Sequence, residues 1–273
     1  MKKRLVTLIP LAVFVVLWET ISYVNKDFSI FFSSPSRIAT MFFRELFHGD
    51  LLTHTFITAY EALTGLVLGL VVGCCIGFSL IYFPKYSKIT YPYVVALSSI
   101  PTFALAPLMI IWFGTGLIMK IVLSFLATVF TTAFQAYEGA QKVATSDILF
   151  FELNHASNKQ RFWMLSFPSS LDWVIQSLKL NSGFCVLGAF IGEFIASEAG
   201  LGYIILKASG LYDTTYVFVA IICIIFLSYI FGLIALVVNN HKLKIIRFVT
   251  RSVFPNNDSI MYSKKSGNQV KNK

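Results

Sequence analysis

The sequence predicts an all-α polytopic membrane protein with six transmembrane helices. Of the 273 residues, 56% are hydrophobic and only 13% are charged, whereas about a quarter are charged in a typical soluble domain. The apolar residues also form stretches of about 20, the length that a helix needs to cross a bilayer. A buried core helix explains one such stretch, but six together favour a membrane protein. The predicted spans are residues 5–24, 60–83, 91–112, 117–137, 174–197 and 214–238.

The distribution of lysine and arginine predicts that both termini are cytoplasmic. If the six spans alternate in direction, 17 of the 22 basic residues lie on one side of the membrane. Cytoplasmic connections carry such an excess of basic residues. The connections at 25–59 and 198–213 are then external. The basic residues on the cytoplasmic side, where they face anionic lipid, account for the net charge of +9. This charge therefore does not indicate a nucleic-acid partner.

The first span and the external segment that follows it contain recognisable start signals. Span 1 follows the basic sequence MKKR and lacks an A-x-A cleavage site, so we expect it to remain as a signal anchor. In the external segment, Ser34 is predicted as an N-cap and Pro35 as the first helical residue. The amphipathic sequence RIATMFFRELF that follows suits a helix at the external membrane interface.

Span 2 has glycine at every fourth position, which places these residues on one face of a helix. Membrane helices associate through such faces, because the absence of side chains lets two backbones approach closely. We interpret the glycine row as a packing surface rather than a ligand site. Its members are Gly65, Gly69, Gly73 and Gly77.

Span 3 contains two prolines that are expected to break its hydrogen-bond ladder. Non-helical backbone at membrane depth is tolerated where it is buried in protein or lines a cavity. This span has two alternative interpretations: it lines a transport pathway, or its prolines form a simple kink. The pathway hypothesis involves Pro101, Thr102 and Pro107.

Spans 4 and 5 are joined by a long connection of mixed charge at residues 138–173, predicted to be cytoplasmic. A short helix is expected there, with Thr145 or Ser146 as its N-cap and Asp147 favourable in its first turn. The sequence ILFFEL after this start presents more apolar surface than a solvated loop tolerates. Docking to a partner protein is the favoured interpretation, and packing against the membrane surface is the alternative.

Two charged residues within the spans require interpretation. Glu193 lies near the external end of span 5, and an ionisable residue inside a membrane span is costly and is a functional candidate by default. A pathway role and an interhelical hydrogen bond are the alternatives for it. Lys120 starts span 4, and we expect its side chain to extend outward to the membrane surface.

Signatures of catalysis and of metal binding are absent from the sequence. There is no P-loop G-x-x-x-x-G-K-[ST], no H-E-x-x-H, no C-x-x-C and no G-x-S-x-G. The four histidines lie outside the predicted spans without ligand spacing, and the four cysteines lie inside them as small packing residues. We therefore predict neither metal nor cofactor in this chain, and no enzymatic activity of its own.

Residues 1–251 are predicted to form one transmembrane domain. After Arg251 the sequence becomes polar and basic, ending in NNDSIMYSKKSGNQVKNK. Such a composition lacks the apolar residues needed to form a core. Residues 252–273 are therefore predicted to be a disordered cytoplasmic tail.

From about Ser33 to Arg247 the chain resembles the permeases of binding-protein-dependent ABC importers. The branch it resembles most handles nitrate, sulfonate, taurine and bicarbonate, and includes uptake systems for pyrimidine precursors. The resemblance rests on the order and spacing of several segments, and it implies a type I ABC importer permease fold. The segments are SSPSRI, SSIPTFALAPLMIIWFGTG, AYEGAQKV, FPSSLDWVIQSLKL, GEFIASEAGLGYII and Tyr212-Asp213-Thr214.

The hallmark of this family is E-A-A-x3-G-x9-I-x-L-P in the cytoplasmic loop, and the chain keeps its length but not its composition. Leu149-Phe150-Phe151 stand where E-A-A is expected, and His155 stands at the glycine. A left-handed residue is expected there, either His155 or Asn154. The resemblance implies that this loop docks onto the ATPase. The implied contact residues are Asp147, Ile148, Leu149, Phe150, Phe151, Glu152, His155, Ala156 and Ser157.

The resemblance implies a permease subunit of an ATP-driven importer in a bacterial plasma (inner) membrane. Its partners would be a second permease, identical or not, two cytosolic ATPases that bind ATP and Mg²⁺, and an external substrate-binding protein. The implied substrate is a small solute, either a sulfonate-, nitrate- or taurine-like anion or a pyrimidine precursor.

Three other classes of protein are alternatives. A secondary transporter is expected to show internal repeats, and no second copy of the span 3 proline pattern is found. A membrane enzyme is expected to show clustered His, Asp or Glu, which are also missing. A non-transporting partner subunit is supported only by the degenerate loop.

Overall fold

The computed structural model describes residues 2–25 and 30–253, and the side chains of residues 9–25 and 30–241. Within this part of the chain the regular structure is helical, without a β-strand. The helices are α1 (Lys2–Val24), α2 (Pro35–His48), α3 (Leu51–Tyr82), α4 (Pro84–Ser98), α5 (Thr102–Phe113), α6 (Leu117–Gln141), α7 (Thr145–Leu153), α8 (Asn158–Arg161), α9 (Phe167–Ile195), α10 (Leu201–Gly210) and α11 (Thr214–Val253), with a π-helical turn at Phe162–Ser166.

The prediction of an all-α membrane protein is confirmed. Four stretches are long and apolar enough to cross a bilayer. Helices α4 and α5 meet this criterion only together, as a bent pair, and the described apolar part of α1, Ile9–Val24, is a shorter apolar helix. These six segments correspond to the six predicted spans. The four long stretches are Leu51–Tyr82, Leu117–Gln141, Asn158–Ile195 and Thr214–His241.

Several predicted boundaries are wrong because polar residues continue the helices. Helix α3 begins at Leu51 instead of residue 60, and the Thr55 hydroxyl donates to the Leu51 carbonyl one turn earlier, at 2.7 Å, so this polar residue is accommodated inside the helix. The connection predicted at 198–213 contains α10. Helix α11 continues to Val253 and so includes the first two residues of the predicted tail, and the rest of that prediction, residues 254–273, lies outside the described part.

The predicted third span is interrupted, and only one of its prolines causes the interruption. Pro101 is the N-cap of α5, with φ −61° and ψ 117°, because proline disfavours a helical conformation in the residue before it. Pro107 lies inside α5 without ending it, so the predicted second break is wrong. The neighbouring Ala106 and Met109 are buried against α6, and this packing holds α5 together across the proline.

The chain divides into two compact units. Of the described residues, unit 1 comprises 2–25, 30–69, 100–129 and 181–231, and unit 2 comprises 70–99, 130–180 and 232–253. The core of unit 1 is formed by residues of α2, α3, α10 and α11. Its buried members include Ile38, Leu51, Leu201, Ile204, Val219 and Ala220.

Helix α2 begins where the sequence predicts. Ser34 is the N-cap and its hydroxyl accepts a hydrogen bond from the Arg37 N–H at 3.4 Å. The carboxylate of Glu19 in α1 accepts from the Ser36 N–H at 3.0 Å and from the Ser36 hydroxyl at 2.7 Å. These bonds satisfy two donors at the start of α2 and attach this helix to α1.

The glycine row of α3 lies against α6, and all four glycines are buried. In unit 1, a Cβ added to Gly69 would lie 3.2 Å from the Phe125 carbonyl oxygen and would collide with Thr128. In unit 2, a Cβ added to Gly77 would lie 2.8 Å from the Ala133 carbonyl oxygen. The absence of side chains therefore allows the two backbones to approach closely.

We expect Gly69→Leu to destabilise the protein, because a leucine has no space beside Thr128 and α6. Overpacking of this kind costs about 1–3 kcal/mol. Thermal unfolding in detergent measures the effect, and Val71→Leu on the exposed side of α3 is the matched control. A Gly69→Leu protein as stable as the control would show that close packing here is not required.

Candidate functional site

The predicted docking surface in the loop at 138–173 is helix α7, which has no buried residue. Leu149, Phe150 and Leu153 are 52%, 56% and 80% exposed. These three residues lie on one side of the helix, and Ile148 and Phe151 lie half-buried on the other. The helix therefore presents an apolar stripe, defined by the three exposed residues, that no described part of the chain covers.

The start of α7 differs in part from its prediction. Ala144 is the N-cap, with extended backbone (ψ 137°) and no side-chain cap bond. Thr145 and Ser146 are already helical, so neither of them provides the predicted cap. Asp147 lies in the first turn as predicted, where a carboxylate is favourable for the helix dipole.

The end of α7 is a sharp turn at His155, whose φ is +51°. The Ala156 N–H donates to the Phe151 carbonyl and the His155 N–H to the Glu152 carbonyl, both at 3.0 Å. This is the Schellman arrangement, in which glycine is the usual left-handed residue. The expected left-handed conformation is confirmed for His155, whereas Asn154 keeps a φ of −89°.

Side-chain contacts support the chain after this turn. Ser157 and Gln160 form a capping box: the Gln160 N–H donates to the Ser157 hydroxyl at 3.3 Å, and the Ser157 N–H to the Gln160 side chain at 2.9 Å. Arg161 forms an ion pair with Glu152 of α7 at 3.2 Å. The Phe162 ring packs against two aromatic rings at the end of α3, at centroid distances of 6.3 and 5.5 Å. Helix α7 is thus presented on a well-supported turn.

The pathway candidates fall into two environments. Around the start of α5, Pro101 and Pro107 are exposed and Thr102 is half-buried. Glu193 is fully buried in unit 1. Its carboxylate accepts from the Thr58 hydroxyl at 2.7 Å and from the Gly202 N–H at 2.8 Å. Glu193 therefore forms interhelical hydrogen bonds, which were one of the two alternatives predicted for it from the sequence.

Glu193 is part of a set of side chains that cap the start of α10. The Leu201 N–H donates to the Thr58 hydroxyl, and the Gly200 N–H donates to His54 Nδ1, both at 2.9 Å. Three successive N–H groups that a helix start leaves without intrahelical partners are therefore satisfied by side chains. His54, predicted to lie outside the spans, belongs to the first turns of α3 and has this capping role.

Glycine is required at two positions beside Glu193. Gly200 has φ +106°, and a Cβ added to it would collide with the Glu193 carboxylate. A Cβ added to Gly202 would lie 2.6 Å from the Phe190 carbonyl oxygen and 2.7 Å from the Glu193 Cβ. These contacts explain why G-L-G follows the glutamate in GEFIASEAGLGYII.

Lys120 is buried, so the prediction that it extends to the membrane surface is wrong. Its Nζ lies 3.4 Å from Glu61 Oε1 and donates to the Ser197 hydroxyl at 2.7 Å. Glu61 was missed by the sequence analysis, although it lies four residues before Gly65 and so continues the glycine face. We refer to Thr58, Glu61, Lys120, Glu193 and Ser197 as the polar cluster.

We expect Gly200→Ala to lower the thermal stability, because the methyl group would displace the Glu193 carboxylate and the residue would be held in a left-handed conformation. Backbone strain alone costs roughly 1–3 kcal/mol for a residue with a side chain at this φ and ψ. Gly210→Ala is the matched control, since a Cβ there has no atom within 4 Å. Thermal unfolding in detergent compares the two, and equal melting temperatures would contradict the role assigned to Gly200.

Comparisons with known proteins show a family model and several relatives to which this chain is similar. Residues 65–244 match the family model described as "Binding-protein-dependent transport system inner membrane component". A probable ABC transporter permease protein of Haemophilus influenzae is 27% identical, over 84% of this chain and 93% of its own. The putative aliphatic sulfonates transport permease protein SsuC of Bacillus subtilis is 28% identical, over 77% of this chain and 76% of its own.

A third relative matches over a shorter segment. The formylaminopyrimidine transport permease protein ThiX of Halalkalibacterium halodurans is 30% identical, over 51% of this chain and 56% of its own. Among solved structures, a chain of the MetNI methionine ABC transporter in an inward-facing conformation has a TM-score of 0.58 and 20% identity. The match covers 76% of this chain and 99% of that one, which shows a shared fold.

Proposed function

The chain belongs to the family of inner membrane components of binding-protein-dependent transport systems, and on this premise we propose that it carries a small solute received from a substrate-binding protein. As an ABC importer permease it forms the membrane part of the transporter. It has no P-loop, so ATP and Mg²⁺ are bound by partner ATPases. A second permease copy, identical or different, completes the pathway.

The observation that supports ATPase docking is the exposed apolar stripe of α7. Leu149, Phe150 and Leu153 are apolar, adjacent and exposed on a helix that is braced at its C-terminal end. An apolar patch with a polar rim is typical of a protein interface. Here the rim is formed by exposed residues of the same helix. They are Thr145, Ser146 and Glu152.

The polar rim also favours a protein groove over the membrane surface as the partner of α7. A helix that lies in a lipid interface needs a broad apolar face, whereas this stripe is narrow and borders the Glu152–Arg161 ion pair. In the proposed mechanism, closure of the ATPases moves α7. The braced turn at residues 154–166 transmits this movement to α9, and the permease pair opens toward the external side.

Two substrate classes are supported by the names of relatives. SsuC is named for aliphatic sulfonates and ThiX for formylaminopyrimidine. We propose a small anion of the sulfonate, nitrate or taurine type, with a pyrimidine precursor as the second candidate. Reconstitution with the cognate ATPase and binding protein, followed by ATP-dependent uptake of each labelled compound, tests both. Absence of ATP-dependent uptake of every compound would contradict this proposal.

We further propose that the protein lies in a bacterial inner membrane with both termini in the cytoplasm, because 17 of its 22 basic residues then lie on that side. Helix α7 would face the ATPases in this orientation. A Ser157→Cys variant in a background without the native cysteines should be labelled only after the membrane is permeabilised. Labelling of Cys at this position in intact cells would overturn the orientation.

A further inference from the structure

The polar cluster contains two carboxyl groups but one cation. Glu61 and Glu193 are 0% exposed and Lys120 is 7% exposed. The remaining members, Thr58 and Ser197, are neutral hydroxyls. Burial of an ionised group costs several kcal/mol unless it is paired and hydrogen-bonded. With both carboxyl groups ionised, the cluster would hold one negative charge in excess inside a membrane protein.

The two carboxyl groups have different partners. Each oxygen of Glu193 accepts one hydrogen bond, from the Thr58 hydroxyl and from the Gly202 N–H. The two oxygens of Glu61 accept none from the described residues. Lys120 lies 3.4 Å from Glu61 but directs its short hydrogen bond to Ser197. Glu193 therefore has the hydrogen bonds of a carboxylate, whereas Glu61 has only the Lys120 cation beside it, at 3.4 Å.

Besides the Lys120 cation, the neighbourhood of Glu61 contains an acceptor, the Glu193 carboxylate. Glu61 follows Thr58 by three residues on the same face of α3, and the Thr58 hydroxyl donates to Glu193, so both carboxyl groups belong to one buried cluster. The nearby His54 accepts the Gly200 N–H through Nδ1, which assigns the proton of the ring to Nε2 and leaves the imidazole neutral. It therefore contributes no second positive charge to balance the carboxyl groups.

We propose that Glu61 and Glu193 bind one proton between them, with the Glu61 carboxylic acid as donor and the Glu193 carboxylate as acceptor. The single charge of Glu193 is then balanced by Lys120, and the polar cluster is neutral. The proton also gives Glu61 a hydrogen bond that its oxygens otherwise lack among the described residues. The contacts that support this site all lie within unit 1, and the proposal does not require the proposed transport role.

The proton has a structural consequence for α10. Glu193 accepts the Gly202 N–H at the start of this helix, and a carboxylate there is favourable for the helix dipole. Loss of the proton would place two like charges side by side and weaken that contact. The polar cluster thus links a bound proton to the position of the segment between α9 and α10.

Infrared spectroscopy of the purified full-length protein tests the proposal. The parent protein at neutral pH should show the C=O stretch of a protonated carboxylic acid, shifted in D₂O. Glu61→Gln should remove this band and keep parental thermal stability, because the glutamine amide donates to Glu193 as the acid does. The control Glu152→Gln, an exposed position, should retain the band.

Two outcomes would overturn the proposal. Absence of the band in the parent protein would mean that both carboxyl groups are ionised, and this result needs no variant to fold. Persistence of the band in folded Glu61→Gln would assign the proton to a different carboxyl group. Neither measurement requires an ATPase, a binding protein or a substrate, so the result does not depend on the importer function.

Discussion

A Leu149→Asp variant is expected to enter the membrane normally and to lose its ATPase. The side chain lies in the centre of the exposed stripe of α7, and an aspartate there would be buried without a partner in an apolar groove. An unpaired charge in such a groove is expected to cost about 2 kcal/mol or more of binding free energy, which corresponds to a loss of affinity of about thirtyfold. Pull-down of the ATPase from membranes that contain each variant measures this effect.

Two controls separate docking from folding. Leu211→Asp makes the same change at a leucine that is 71% exposed in the connection between α10 and α11, and ATPase recovery should be unchanged. His155→Gly should leave docking intact or improve it, because glycine adopts the left-handed conformation without strain. Phe151→Asp is less informative because this side chain is half-buried. Unchanged ATPase recovery with Leu149→Asp would favour the non-transporting partner subunit.

A Lys120→Met variant is expected to lose about 3–5 kcal/mol of stability, because it leaves the one carboxylate of the buried polar cluster without its counter-charge. Methionine retains the packing of the lysine stem against Gly192 but removes the positive charge from the polar cluster. Thermal unfolding in detergent, or the yield of folded protein, measures the loss.

The matched control for this charge is Lys207→Met. Lys207 is exposed, and its Nζ lies 5.7 Å from the centre of the Tyr203 ring, so its removal should change stability by less than about 1 kcal/mol. If Lys120→Met and Lys207→Met unfold at the same temperature, the polar cluster does not contribute to stability as described here.

Features that depend on local pattern were predictable from the sequence. Membrane-length apolar stretches identify the spans, because a helix must satisfy its backbone within lipid. The start of α2 at Ser34 and the left-handed residue at His155 are likewise local, since each follows from a few neighbouring residues. The resemblance of ordered segments to a permease family was also readable at this level and is confirmed by the family match.

The tertiary structure alone decided which polar residues act together. Glu61, Lys120 and Glu193 come from three different helices, and a single sequence contains no information on their distances. Read separately, Lys120 at a span end was expected to reach solvent, and Glu61 was overlooked. Pro101 and Pro107 also differ only through their surroundings, because the residues beside Pro107 are buried against α6. The free-energy cost of a polar or helix-breaking residue in a membrane depends on the residues that contact it. These contacts form only in the folded protein.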